Sequence, residues 1–518
     1  MTLSEIVARH ADERGDAVAY VAPDDRLTWR GYDDWANRLA AEIRGLSGVP
    51  GDRVAVLLPD GPAVHVAYLA VERAGRVIVG IGPRAGDREV EHLVGITGAR
   101  ALVAGPDRAP LADRLGLTRL DPAPHRDAPD RAPARDAPGP GPGPGSGSGD
   151  GVADTGLWLL NSTSGTTGLP KCVMHDQRRW FAFHDLAVAA AALGPDDVFM
   201  SVLPAPFGFG IWTGHVTPTL LGAPTVVMAR FDPAHALALI ERERVTVLAA
   251  VSTQFVMLLN EPTLHERDCT SLRVLFTGGE MVPYLRAAEF EERTGCTVLQ
   301  FYGSNETGAL SNTSLADTRD RRLRTAGRVI PEMHVRLLDD DGADVTATGG
   351  PGIAACRGPV NCLGYYGDPE ANARLYTHDG WMLTGDYCTI DADGYLTVAG
   401  RASDFIIRGG KNISAAQVED EVSTHPAVAL SAAVAMPVPV FGERVCVYVE
   451  VHPGSSPPDL DTLRAHLGAR GVGKELWPER VVVVDALPRA SGGKVAKGEL
   501  RDDIRARVAA EDTDGGTP

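Results

Sequence analysis

What most limits the fold of this chain is a repeated change of hydrophobic period. Tyr32, Trp35, Leu39 and Ile43 recur at helical spacing across 28–44, where Thr28 can cap the first turn. VAVLL at 54–58 reads as a buried strand, a helix follows to Ala74, VIVGI at 77–81 is strand again, and helix 86–97 leads to ALVA at 101–104. Strand, helix and strand in series call for a mostly parallel sheet with helices on its faces. The same texture returns in VTVLAAV (245–251), VLF (274–276) and VLQF (298–301). Residues 122–151, rich in Pro, Gly and Ser, interrupt it; they read as a disordered surface insertion, with an interdomain linker as the competing reading. From 326 to 400 short strands alternate with Gly/Asp turns. Beyond Arg401 come helices at 418–425 and 460–470, strands at 429–436, 444–451 and 481–485, and a last helix. The fold class is α/β: a large N-terminal domain (1–402) of mostly parallel sheets with a β-rich subdomain, then a small α+β domain (403–518).

Charge narrows the function. Fifty basic and 68 acidic residues leave a net charge of −18, which disfavours nucleic acid and anionic membrane as partners but leaves room for a local phosphate pocket. The seven cysteines, Cys172, Cys269, Cys296, Cys356, Cys362, Cys388 and Cys446, show no zinc-like pairing and read as reduced thiols of a cytoplasmic protein. The opening MTLSEIVARHADERGD has no apolar leader core, and no run approaches the ~18 apolar residues of a membrane span. Oligomeric state is left open.

The densest chemistry lies at 162–171, STSGTTGLPK, just after an apolar strand. Its glycine amides, the hydroxyls of Thr163, Ser164, Thr166 and Thr167, and the ammonium of Lys171 can surround phosphate oxygens. A Walker A loop would need Gly at Pro170 and Ser or Thr at Cys172, so a P-loop ATPase is disfavoured. In 300–307, QFYGSNET, Tyr302 offers a flat face for a base and Glu306 a hard carboxylate suited to Mg²⁺ on phosphates. Asp386, in TGD at a presumed hairpin end, can accept two vicinal hydroxyls or simply shape a turn; Arg401 can add a contact or cap a strand. Lys494, in PRASGGKV at 488–495, rides a Gly-rich loop from which a long cation reaches into a cleft.

These motifs, with GRASD at 400–404 and RGGKN at 408–412, follow one another as they do in the adenylate-forming superfamily of acyl-CoA synthetases, luciferases and peptide-synthetase adenylation domains, which the chain resembles from about residue 27 to 500. The resemblance implies an enzyme that activates a small carboxylic acid as acyl-AMP with ATP and Mg²⁺ and passes it to CoA, the small domain turning between the two steps. It further implies that Thr163, Ser164, Gly165, Thr166, Thr167, Gly168, Lys171, Gly279, Glu280, Met281, Gln300, Phe301, Tyr302, Gly303, Asn305, Asp386 and Arg401 bind ATP and AMP. Glu306 would hold the metal and Lys494 bridge carboxylate and phosphate. Phe207, Gly208, Phe209, Trp212, Gly303 and Gly308 would form the acid pocket, Gly409, Gly410 and Lys411 a thiol tunnel, and Ser403 the hinge. An α-amino acid is disfavoured, since no Asp stands among 203–212 to hold its ammonium.

Four positions depart from the family pattern. Asn305 stands where a threonine hydroxyl usually meets the α-phosphate, Ser403 where the hinge is usually charged, and Cys172 where glycine follows the loop lysine. The segment 475–481, ELWPERV, keeps only Arg480 of the usual basic residues. These departures admit alternatives: loading of a carrier protein, thioesterification of a supplied acyl-adenylate, or a catalytically silent acyl- or nucleotide-binding protein.

Overall fold

The computed structural model describes residues 1–126, 156–162, 170–401, 404–408, 411–438, 442–490 and 494–514. Most of the presumed insertion lies outside them. Its first residues do not behave as an insertion: Ala123–His125 forms a short turn, Trp35 Nε1 donates to Pro122 O at 2.8 Å, and Arg126 pairs with Asp25. The first five residues of that segment, 122–126, are therefore part of the fold, because helix Trp29–Gly45 supplies them with donors.

Two large sheets form the N-terminal part. The first has six strands in the order Thr118–Leu120, Ala101–Ala104, Arg53–Leu57, Val77–Gly80, Leu157–Ser162 and Cys172–Asp176, all parallel up to the last pair. The second has nine, with a parallel centre (Thr297–Ser304, Val274–Gly278, Val247–Ala249, Phe199–Ser201, Thr225–Val226 and Val18–Ala22) and antiparallel edges. The edge pair Val18–Ala22 and Asp25–Thr28 was not read from the sequence. Helix Pro62–Arg73 is apolar over most of its surface and is buried, with His65 and Arg73 buried too. At its end Arg73 meets Asp33 at 2.6 Å and Ser4 at 2.9 Å, all buried, which fastens three helices; removing one partner of such a pair costs about 3–5 kcal/mol.

A four-stranded antiparallel sheet follows, His334–Leu338, Gly352–Arg357, Met382–Ile390 and Leu396–Arg401. In the C-terminal part, five strands are covered by Ala415–Val422 and Leu460–Ala469. The first of these helices starts three residues earlier than its hydrophobic period suggests, because the Ser414 side chain accepts from Gln417 N and caps it there. Strand Val428–Val438 packs onto helix Ser252–Asn260 of the large body, and Asn260 Nδ2 donates to Ala429 O at 3.0 Å. That contact sets the C-terminal part over the large one. All seven cysteines are buried and unpaired. No helix among the described residues is long and apolar enough to cross a membrane.

Candidate active site

The chain leaves the C-terminal ends of four parallel strands into one crevice: Leu157–Ser162, Phe199–Ser201, Val274–Gly278 and Thr297–Ser304. Crevices at such ends are where open α/β sheets bind ligands. Residues 163–169, 402–403 and 409–410 lie outside the described residues, and with them Thr163, Ser164, Gly165, Thr166, Thr167, Gly168, Ser403, Gly409 and Gly410. Lys411 opens strand Lys411–Ser414.

On one wall Tyr302 OH donates to Asp386 Oδ2 at 2.9 Å, and Arg401 Nε donates to Asp386 Oδ1 at 3.1 Å. Asp386 is not at a hairpin end. It lies inside strand Met382–Ile390, directly across from Arg401, and this register makes the ion pair. Burial raises the Asp386 carboxyl above its usual range, against the pull of Arg401 and Tyr302. Lys494 reaches in from the C-terminal part, on a turn closed by Ala490 N to Lys494 O at 2.8 Å, and its ammonium donates to Gly279 O. Gly279 has φ +77°, a conformation open to glycine, and a Cβ there would lie 3.0 Å from Lys494 Nζ. Burial lowers the Lys494 pKa, partly offset by Glu280, Asp386 and Glu306 and reinforced by Arg401. Glu280, Asp386 and Glu306 thus favour the charged ammonium, and Arg401 opposes it.

Glu306 sits on a turn tied by its neighbours: Ser304 N donates to Thr307 Oγ1 at 2.9 Å, and Glu306 N and Thr307 N each donate to Ser304 Oγ at 3.1 Å. Glu306 Oε1 accepts from Tyr365 OH at 2.8 Å, and the Lys171 ammonium stands 4.8 Å from the Tyr365 ring centre. Tyr365 was missed by sequence reasoning, as GYYGDPE carries no motif that separates it from an ordinary core tyrosine. No group of three or more metal-ligating side chains occurs among the described residues. A lone half-buried carboxylate fits a Mg²⁺ that takes its other ligands from phosphates and water.

The opposite wall is apolar. Phe209 stacks on Trp212 (5.7 Å), and Phe301 meets both edge-on at 4.7 and 5.0 Å. Trp212 and Phe301 also line a cavity of about 20 Å³ with Phe183 and Phe276. Phe207 begins the short helix Gly208–Gly210, where a Cβ on Gly210 would fall 2.2 Å from Pro204 O. Gly303 and Gly308 let two backbones cross: a Cβ on Gly303 would lie 1.7 Å from Gly308 O. Gln300 spends its amide on Arg322 O at 2.7 Å. Glu280 Oε1 accepts from Thr253 N at 3.0 Å, while Met281 is exposed.

Asn305 departs from expectation. Its Nδ2 donates to Asn161 Oδ1 at 2.7 Å and its Oδ1 accepts from Asn161 Nδ2 at 3.0 Å, so the amide is committed within the protein rather than held out toward a phosphate. The same Oδ1 would lie 2.8 Å from a Cβ on Gly208.

The cleft is composite, with polar groups on one wall, rings on the other and a lysine brought in from the C-terminal part. Residues 7–366 match the model of AMP-binding enzymes and residues 417–494 that of the AMP-binding enzyme C-terminal domain. The chain belongs to this adenylate-forming family of acid ligases. It is 32% identical to "Pyochelin synthase PchD" of Pseudomonas aeruginosa over 98% of this chain and 93% of the relative. It is 34% identical to "Salicylyl-CoA synthase / salicylate adenylyltransferase" of a Streptomyces species over 96% and 93%. The solved structure of the anthranilate CoA ligase AuaEII in complex with anthranoyl-AMP shares the fold, with a TM-score of 0.86, 22% identity and 98% of each chain covered.

Proposed function

We propose that this enzyme joins a compact, planar carboxylic acid to CoA through an acyl-adenylate. The observation that carries the proposal is the Lys494 ammonium lodged on Gly279 O amid Glu280, Asp386 and Glu306. Attack of a carboxylate on the α-phosphorus of ATP brings two anions together, so the protein must supply position and positive charge. In this reading the Asp386 carboxylate accepts both ribose hydroxyls while Arg401 holds it in place, and Tyr302 offers its ring to the base. Lys494 leaves Gly279 O to bridge the carboxylate and the α-phosphate. Glu306, oriented by Tyr365, would hold Mg²⁺, which neutralises phosphate charge when bound. Lys171, with the hydroxyl and glycine residues of 163–168, would hold the pyrophosphate that leaves. After the small domain turns about Ser403, the thiol enters past Gly409, Gly410 and Lys411 and attacks the acyl carbon, releasing AMP.

The wall of stacked and edge-on rings supports a flat acid over a long chain. The salicylyl group in one relative's name agrees with that choice. A carrier-protein thiol is the second reading, and it rests on charge: Arg480 is tied to Glu511, while Arg408 and Arg444 share Glu479, so three arginines that could meet the phosphates of CoA are already paired. Pyrophosphate release across aryl and aliphatic acids, with and without CoA, tests both. Acyl-CoA formed from an aryl acid supports the first reading; release of pyrophosphate with no acyl-CoA leaves the second.

A further inference from the structure

Beneath the turn that carries Glu306 lies a buried cation that Asp176 and Glu306 attract only from beyond ion-pair distance. Arg179, on helix Gln177–Ala191, is 2% exposed, and among the described residues no carboxylate forms an ion pair with it. Its Nη1 donates to Asn305 O at 3.0 Å and to His175 Nδ1. A guanidinium cannot accept, so His175 Nδ1 must be the acceptor and the imidazole proton must sit on Nε2. Nε2–H then donates to Asn161 Oδ1 at 2.7 Å. That oxygen also receives Asn305 Nδ2, and Asn161 Nδ2 donates in turn to Asn305 Oδ1 and to Pro206 O, both at 3.0 Å. Every bond direction in the network follows from the one group that can only donate.

The network ties three segments: Asn161 at the end of the strand that leads into 163–169, Pro206 beside Phe207 and Gly208, and the Asn305–Glu306 turn. Packing does not require the charge, since the guanidinium lies over the rings of Trp180 and Phe183 at 5.1 and 5.8 Å, where an apolar chain would fit. Burying a cation without a counter-ion is costly and needs a use. We propose that Arg179 is a positioning residue for acyl-adenylate formation, holding the Glu306 turn, the acid-pocket segment and the strand before the phosphate loop in one register through His175, Asn161 and Asn305. This rests on the adenylation reading above and extends it to Asn161, His175 and Arg179, which lie outside every motif.

The test compares His175→Leu, which breaks the relay, with His175→Gln, whose side chain can accept from Arg179 and donate to Asn161; Arg179→Lys and Arg179→Met follow. An acid that the unaltered enzyme turns over in pyrophosphate exchange is found first. His175→Leu should then lower kcat of exchange about tenfold to a hundredfold, the range of a displaced reacting group, with ATP Kd by calorimetry and thioester formation from supplied acyl-adenylate within about threefold. His175→Gln should recover to within about fivefold of the unaltered rate, and Arg179→Met should behave like His175→Leu. Exchange by His175→Leu within about threefold of normal, or equal impairment of the Leu and Gln variants, overturns the proposal. Should Arg179→Met fail to fold, the His175 pair decides alone. If no acid supports exchange, the adenylation reading fails separately, and ¹⁵N spectra of His175 still judge the network: a neutral ring protonated on Nε2 that changes in Arg179→Lys upholds it, and a proton on Nδ1 overturns it.

Discussion

Around Asp386, the exposed Arg401 and the buried Tyr302 hold the carboxylate by an ion pair and a hydrogen bond, with Lys494 nearby; around Asn305, the groups Asn161, His175 and Arg179 are bonded pair by pair with only one net charge among them. On the Asp386 wall an incoming hydroxyl or phosphate can replace an internal partner, and the groups carry the strain of being partly desolvated until it does. On the Asn305 wall the two amides and the imidazole are already bonded inside the protein, so the wall transmits position rather than binding. Substitution at the first should change affinity or charge stabilisation with no loss of fold. Substitution at the second should change geometry.

The largest effect that separates the walls is expected at Lys494. Lys494→Ala should lower pyrophosphate exchange about 10²–10³-fold, as for a lost charge-stabilising donor, and nearly spare thioester formation from supplied acyl-adenylate. Equal loss of both steps would remove Lys494 from its assigned role. Because burial pushes its pKa down, adenylation should also fall on an alkaline limb below the ordinary lysine range, and this limb should vanish from the thioester step.

Next comes the contact between the walls and the acid pocket. A methyl on Gly208 would meet Asn305 Oδ1 at 2.8 Å, and Asn161 prevents that amide from turning away. Gly208→Ala should cost about tenfold to a hundredfold in kcat/KM for the acid while ATP binding holds. Adding Asn305→Ala should return part of it, a non-additivity expected only of touching groups. Simple additivity of the two changes would show that they do not communicate.

The sequence displays these walls unequally. Tyr302, Asp386, Arg401, Glu306 and Lys494 stand in ordered motifs because their chemistry fixes both residue type and spacing. Asn161, His175 and Arg179 do not: a polar residue at a strand end, a buried histidine and an arginine on a helix face each have commonplace structural readings, and only the fold brings them within 3.0 Å of one another and of Asn305. The parallel-sheet core was legible from its change of period. The pair Val18–Ala22 and Asp25–Thr28 was not, since the strands are short and interrupted by a polar turn, and Asp386 was placed at a hairpin end because register across strands leaves no local trace.

A smaller effect of opposite sign on binding and stability is expected at Asp386. Burial raises its carboxyl pKa, so the folded state holds a proton the unfolded chain has already lost. Its contribution is therefore favourable at acid pH and is lost as pH rises from the ordinary carboxylate range through the raised value. At neutral pH Asp386→Asn removes that cost. Its Tm without ligand should equal or exceed that of the unaltered protein, while KM for ATP rises about tenfold through the weaker acceptor. A fall in Tm at neutral pH would mean that the Arg401 pair outweighs desolvation.

The smallest effect is expected at Tyr365, which belongs to neither wall and orients the carboxylate between them. Its hydroxyl gives Glu306 Oε1 one hydrogen bond at 2.8 Å, and its ring lies under Lys171. Tyr365→Phe removes the first and keeps the second. Since Glu306 is only half-buried, water can take the vacated place, and the loss should be a few-fold rather than the larger penalty of an unpaired buried charge. The change should show as a rise of about twofold to fivefold in the Mg²⁺ concentration needed for half-maximal exchange, with KM for the acid unchanged. Tyr365→Leu also strips the ring from Lys171 and should do more, raising KM for ATP as well. If Phe and Leu cost the same, the ring does nothing for Lys171; if Phe alone costs as much as Lys494→Ala, the carboxylate depends on Tyr365 far more than its exposure allows, and the division between a binding wall and a positioning wall would have to include it.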